Sequence, residues 1–168
     1  ECALINKGES KMTEQEFCEQ YAKYKNTVYS VIFNYVQNAE DTADLLQEVF
    51  IKLYSTDTQF TGDEHRKAWL IRVSVNMCKN HLRTIKNRKN VVLEEDIPYF
   101  DQTADNELLK VVLTLPEKYR IPIHLFYYED YSIKDIATVL DLPESTVKIH
   151  LKRGREKLSK ILKKEDWF

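Results

Sequence analysis

Near the end of the chain, Ser145, Thr146, Lys148, Lys152, Arg153 and Arg155 crowd one short stretch, hydroxyls first and long cations after them. Val147, Leu151, Gly154, Leu158 and Ile161 thread through the same stretch at steps of four and three. A helix there turns one apolar stripe inward and presents the hydroxyls and cations elsewhere. That arrangement suits the major groove of a DNA duplex, where short polar groups and N–H donors lead and cations reach phosphates. The alternative is a helical hairpin with a solvated basic face. A second set, Glu40, Asp44 and Glu48 with Gln47 beside them, stands in i, i+4 register, so one helix face carries three like charges. Carboxylates so placed could serve a metal. However, no His lies in that helix and its only Asn, Asn38, is the proposed cap, so no metal site is expected. A face covered by a basic partner, or one simply solvated, fits better. In the third set Trp69, Arg72, Asn76, Lys79, Asn80 and Arg83 follow one amphipathic stripe. Cations with amides and an aromatic can track a phosphate backbone and read or stack exposed bases. The preceding stretch, Ser55 to Glu64, holds turn residues, Phe60 and Gly62, and reads as a loop able to cradle an unstacked base. Simpler roles compete: Trp69 as a packing anchor, His81 as a buried or boundary histidine and no ligand, Phe60 as a pin for its loop.

The elements that must hold these residues are helices. Asn38 suits the N-cap of the acidic helix, with acids in its first turn and Ala43, Leu46, Phe50 and Leu53 expected to face inward. The next helix is expected from Arg66 to about Lys86, with Leu70, Val73, Met77 and His81 inward. Helical patterning resumes at Asp105 with Leu108, Leu109, Val112 and Leu115, and continues over Glu117 to Glu129, where Pro122 should shift or kink the helix start. Tyr131 to Leu158 then reads as a helix-turn-helix. Ile133, Ile136, Ala137 and Leu140 define its first helix, and Leu140-Asp141-Leu142 breaks the pattern. Pro143 and Glu144 suit the first turn of the second helix.

Few Gly (3) and Pro (4), 31% charged and 43% hydrophobic residues and no long alternating pattern point to an all-α chain of 168 residues. Two small helical domains are expected, 13–90 and 105–168, joined by an acidic linker at 91–104. No membrane-length apolar run and no signal-peptide pattern occurs, and three scattered Cys without a CxxC suggest reduced thiols and a cytoplasmic location. The net charge of −2 conceals strong polarity. His65–Asn90 holds eight Lys or Arg and no acid, whereas Asn38–Glu64 holds seven acids and one Lys. Ser145–Lys164 is again basic and Glu94–Glu107 again acidic. Such a chain suits contact with DNA on some surfaces and with proteins on others.

The stretches AEDTADLLQEVFIKLY (Ala39–Tyr54), FTGDEHRKAWLIRVSVNMCKNHLR (Phe60–Arg83) and LPEKYRIPIHLFYYEDYSIKDIATVLDLPESTVKIHLKRGREKL (Leu115–Leu158) together resemble bacterial RNA polymerase sigma factors of the extracytoplasmic-function branch, in family order. The resemblance implies that Asp44, Gln47 and Glu48 dock onto the coiled coil of the polymerase's largest subunit. It implies that Asn76, Lys79, Asn80 and Arg83, with Arg72 and the loop carrying Phe60, engage the melted minus-ten element. Ser145, Thr146, Lys148, Lys152, Arg153 and Arg155 would meet the minus-thirty-five element. The linker would thread polymerase channels otherwise occupied by nucleic acid. Core RNA polymerase, promoter DNA and an anti-sigma factor are the implied partners, with no cofactor, no metal, no catalytic residue and no membrane insertion. Asp141 stands where the turn commonly has Gly, and Asp tolerates the left-handed conformation better than most residues. Ile149 and His150 replace the small polar and basic residues common at those places. A stand-alone helix-turn-helix regulator is the alternative, and it leaves the acidic and cationic helices of the first domain without a joint purpose. A metal-dependent nuclease built on the helix carboxylates is the remaining rival, and it lacks a ligand set.

Overall fold

The computed structural model describes residues 12–87 and 105–164; the expected linker at 91–104 lies outside them. Every regular element among the described residues is an α-helix, and the helices fall into two compact units. None is long and apolar enough to cross a membrane.

The first unit holds α1 (Glu14–Val36), α2 (Ala39–Ser55) and α3 (Asp63–Asn87). Thr13 and Glu16 start α1 reciprocally. The Thr13 hydroxyl accepts from the Glu16 N–H at 3.2 Å and the Glu16 carboxylate accepts from the Thr13 N–H at 2.8 Å. Two orphan donors are thereby satisfied. Gln37, in the left-handed region at φ 51°, and Asn38 join α1 to α2. α1 packs along α3, whereas α2 reaches α1 through large rings. Phe17 meets Phe50 and Tyr54 edge-on at 6.3 and 5.4 Å, and Tyr21 meets Phe50 at 4.8 Å.

Two inward faces differ from expectation. On α2 the buried residues are Thr42, Leu45, Val49, Phe50 and Leu53, while Ala43 is exposed and Leu46 only half-buried. On α3 they are Leu70, Ile71, Ser74, Val75 and Cys78, with Val73, Met77 and His81 half-buried. In each helix paired apolar neighbours (Leu45-Leu46, Leu70-Ile71) allow two phases, and packing selects the one that hides the larger continuous stripe. α3 also begins at Asp63, ahead of the expected Arg66. Acids in a first turn are favourable, and α1 clamps this one: Lys23 donates to the Asp63 carboxylate and the Tyr24 hydroxyl lies 3.3 Å from it.

The second unit holds α4 (Asp105–Leu113), α5 (Glu117–Tyr127), α6 (Ile133–Leu140) and α7 (Glu144–Lys164), with α7 packed on the other three. The buried Arg120 donates to the Leu115 carbonyl at 2.8 Å, tying the α4–α5 turn. α5 continues through the buried Pro122 and starts at Glu117, so its start is not shifted. The proline costs the N–H bond to residue 118, and burial of its ring within the unit offsets that loss. The helix stops at Tyr127, short of the expected Glu129. Glu129 folds back instead, its carboxylate 3.6 Å from Nε2 of His124, with both side chains buried. Tyr128 stacks on the same imidazole at 5.2 Å.

The helix-turn-helix forms as expected. Ser132 caps α6 with Asp135 in a capping box, and α6 ends at Asp141 in the left-handed conformation, φ 57° and ψ 52°. Ile136, Ala137 and Leu140 are buried there, and so are Val147, Leu151 and Gly154 on α7. Gly154 marks a close approach between helices, since a Cβ there would lie 2.9 Å from Cγ1 of Ile123 on α5.

Candidate polymerase- and nucleic-acid-binding surfaces

Rotation of α2 about its axis decides what it offers outward. With Leu45, Val49 and Leu53 inward, Glu40, Asp44, Gln47 and Glu48 are all exposed, and so are Ala43 and Ile51. Ile51 is 54% exposed and lies one turn after Gln47 and Glu48, at the C-terminal end of the acidic face. The surface is therefore acidic with an apolar residue at one end. A sequence reading restricted to charged residues misses Ile51, although its spacing from Asp44 and Gln47 was visible. Among the described residues no group of three His, Cys, Asp or Glu could hold a metal ion.

On α3 the residues Arg72, Asn76, Asn80 and Arg83 are exposed and Lys79 is half-buried; their spacing puts all five on one stripe. Trp69 stands one turn before Arg72 on the same stripe, half-buried. Phe60, in the loop between α2 and α3, meets Trp69 edge-on at 5.6 Å and His65 at 5.5 Å, while the Arg66 guanidinium covers its ring at 5.0 Å. Trp69 thus neither sinks into the core nor stands free; it joins the loop to the cationic stripe. Arg66 is held in turn by Gln20 of α1, 3.0 Å away. The hydrogen bond from Lys23 holds the Asp63 carboxyl below its usual range against the opposing effect of burial. A polar cleft of about 250 Å³ opens beside Phe60, lined also by Glu16, Gln20, Thr56, Thr58, Gln59 and Arg66. His81 lies at the edge of the stripe with Nε2 3.2 Å from the Asp41 carboxylate of α2, a boundary residue as expected.

α7 presents Ser145, Lys148, Lys152, Arg153 and Arg155 exposed and Thr146 partly so. Two of these cations face α5. Arg155 donates to the Tyr127 hydroxyl at 3.3 Å. Burial raises the pKa of the Tyr119 phenol, but the nearby cations Arg153 and Lys118 outweigh it and hold it below the usual value. Lys118 and Lys157 also stand over the Tyr119 ring at 5.0 and 5.9 Å. His150 packs edge-on against Tyr119 at 5.7 Å, and burial, with Lys118 and Arg153, pushes its pKa down. Its place is against α5 rather than on the outward face. The supporting tyrosines carry no charge and no motif, so only the fold reveals them.

An aromatic loop feeding a cationic stripe in one unit, and a helix-turn-helix in the other, suit a DNA-binding protein of transcription. Residues 20–88 match the pattern described as Sigma-70 region 2, and residues 105–158 the one described as Sigma-70, region 4. The RNA polymerase sigma-H factor of Pseudomonas aeruginosa is 31% identical, with 83% of this chain and 82% of that protein covered. The ECF RNA polymerase sigma-E factor of Haemophilus influenzae is 33% identical, with 80% and 81% covered. In fold, the sigma factor RpoE of Bartonella quintana, solved with the anti-sigma factor NepR, superposes with a TM-score of 0.73 at 18% identity, covering 89% of this chain and 98% of that one. CnrH, solved with the cytosolic domain of CnrY, gives 0.64 at 21% identity, covering 92% of each. The chain belongs to the sigma-70 family of RNA polymerase sigma factors, in its extracytoplasmic-function branch. It is a transcription initiation factor, and the stand-alone regulator is not favoured, because the first unit has a family role of its own.

Proposed function

We propose that three faces divide the work of initiation. The acidic face of α2, Asp44, Gln47 and Glu48 with Ile51 at its end, docks on core RNA polymerase. The α3 stripe of Arg72, Asn76, Lys79, Asn80 and Arg83, with Phe60, takes the melted minus-ten element. Ser145, Thr146, Lys148, Lys152, Arg153 and Arg155 of α7 take the minus-thirty-five duplex. Residues 13–90 and 105–168 act as the two promoter-binding domains and 91–104 as the tether between them. The observation that carries this reading is the run of Phe60, Trp69 and the α3 stripe beside a polar cleft. A ring and amides next to cations suit a strand whose bases are unstacked, and they have no evident use on a closed duplex. A base flipped into that cleft helps offset melting, which costs about one to two kcal/mol per step.

The sigma factor itself performs no bond chemistry, since the polymerase makes the RNA, and it works in the cytoplasm where the polymerase is. An anti-sigma factor that masks the polymerase-binding face is a further proposed partner; the Bartonella quintana fold relative was solved with one. Reconstituted transcription tests the reading, using purified core polymerase with and without this protein on fragmented genomic DNA. Discrete new RNA starts preceded by two sequence elements at fixed spacing are expected. Absence of new starts with folded protein and a cognate core enzyme overturns it.

A further inference from the structure

The outward face of α7 has an unexpected centre. With Val147, Leu151 and Gly154 buried, the helix position diametrically opposite that stripe belongs to Ile149, which is 48% exposed. Ser145 lies one turn before it, and Lys152 and Arg153 one turn after, all exposed. An isolated exposed Ile on a soluble protein is unremarkable. One ringed by cations at the middle of a groove-entering helix is different, because the cations draw phosphates toward it and force its desolvation against a base edge. Ile has no donor or acceptor. Set against the edge of G, A or C it leaves that base's polar atoms unpaired, with no apolar group to contact in return. The major groove offers it one apolar group, the C5-methyl of thymine.

We infer that Ile149 is a specificity-determining residue that reads a thymine in the minus-thirty-five element through its methyl group. This deepens the assignment of α7 to that element and rests on it. His150 does not share the role, because it packs against Tyr119.

The test uses holoenzyme reconstituted from core polymerase and the full chain, on a promoter found by start-site mapping. Each thymine of the upstream element is replaced singly by deoxyuridine, which removes the methyl and keeps the base pair. At one thymine this substitution weakens promoter binding about fourfold, as loss of a buried methyl predicts. With Ile149→Ala the same substitution has no further effect, and the two losses fail to add, as contacting groups require. Far-ultraviolet circular dichroism of Ile149→Ala is unchanged, since the residue lies outside the core. Insensitivity of wild-type holoenzyme to every thymine-to-deoxyuridine change overturns the inference, as does an undiminished sensitivity in Ile149→Ala. Lys152→Ala and Lys148→Ala separate the two levels. If they weaken binding while the methyl is irrelevant, α7 still meets the upstream element and only the Ile149 role fails. If they too are without effect, the assignment of α7 fails and the inference with it.

Discussion

The chain has two cationic helix faces, and they are built differently. On α3 the cations alternate with amides and lead back to a loop where Phe60, Trp69 and His65 meet beside a polar cleft. On α7 the cations flank hydroxyls and one aliphatic side chain; Arg155 is braced by Tyr127 of α5, and Arg153 lies near Tyr119. A strand that has left its duplex has exposed π-faces and no fixed shape, so capture needs rings and a recess. A duplex brings its own rigid shape, so reading it needs a helix held at one height and angle. The α7 face is therefore only as good as its seating, whereas the α3 face depends on the chemistry of its own side chains.

Gly154→Leu should break that contrast most strongly. A Cβ already falls 2.9 Å from Cγ1 of the buried Ile123, so a full side chain forces α7 off α5 at a cost of about 3 kcal/mol. Thermal unfolding should show the second unit melting lower, with upstream-element binding lost and core-polymerase affinity kept. A stability equal to wild type would mean that the helices are not closely seated. Next comes Phe60→Ala, expected to weaken open-complex formation by about 2 kcal/mol through lost stacking. Closed-complex binding to duplex should barely change, and an equal loss in both would erase the difference between the two faces. Replacing Asp44 and Glu48 together by Ala should reduce affinity for core polymerase by about 1 kcal/mol, as exposed charges do, and leave promoter discrimination by assembled holoenzyme intact. Titration with labelled core enzyme reads this directly, and an unchanged affinity would remove the acidic face from the docking role.

The smallest effect concerns pH. The folded pKa of His150 lies below its ordinary 6.5 because burial, Lys118 and Arg153 oppose its protonation. The unfolded chain therefore binds this proton more readily. Stability is fully present above about pH 6.5 and declines as pH falls through the folded value. His150→Gln should flatten that decline slightly in thermal melts between pH 7.5 and 5.5. An identical pH profile would show that the imidazole is not held neutral by its surroundings.

Much of α7 was legible before any coordinates, because Val147, Leu151 and Gly154 recur without apolar rivals beside them and the left-handed Asp141 announces where α6 stops. On α2 and α3 the expected faces agree with the structure at Phe50, Leu53 and Leu70 and differ by one residue elsewhere, since adjacent apolar pairs let two helical phases score alike and only the neighbouring helices choose between them. The proposed polymerase and DNA contacts lie on the broad polar side in either phase. Ser132 with Asp135 is a visible capping signature that was passed over. By contrast, the closeness of Gly154 to Ile123, the fold-back of Glu129 onto His124 and the tyrosine braces are contacts between distant residues with no local pattern. The exposure of Ile51 has no signal of its own in the sequence, whereas Ile149 already stood out as a departure from the residue common at its place.

Asp141 has a consequence that reaches the unfolded chain. Its left-handed backbone carries a strain of about 1–2 kcal/mol relative to Gly. Gly at the same place would remove the strain but enlarge the set of conformations that folding must give up, a loss of about 0.4–1 kcal/mol. The two partly offset each other and leave Gly favoured by roughly 1 kcal/mol or less, so the joint of the helix-turn-helix has a shape fixed by geometry and a stability only modestly sensitive to which of these residues occupies it. Such a joint tolerates exchange among Asp, Asn and Gly. It excludes Val, Ile and Thr, whose branched side chains resist positive φ. The angle between α6 and α7 is thus insulated from sequence drift at the very residue that makes the bend.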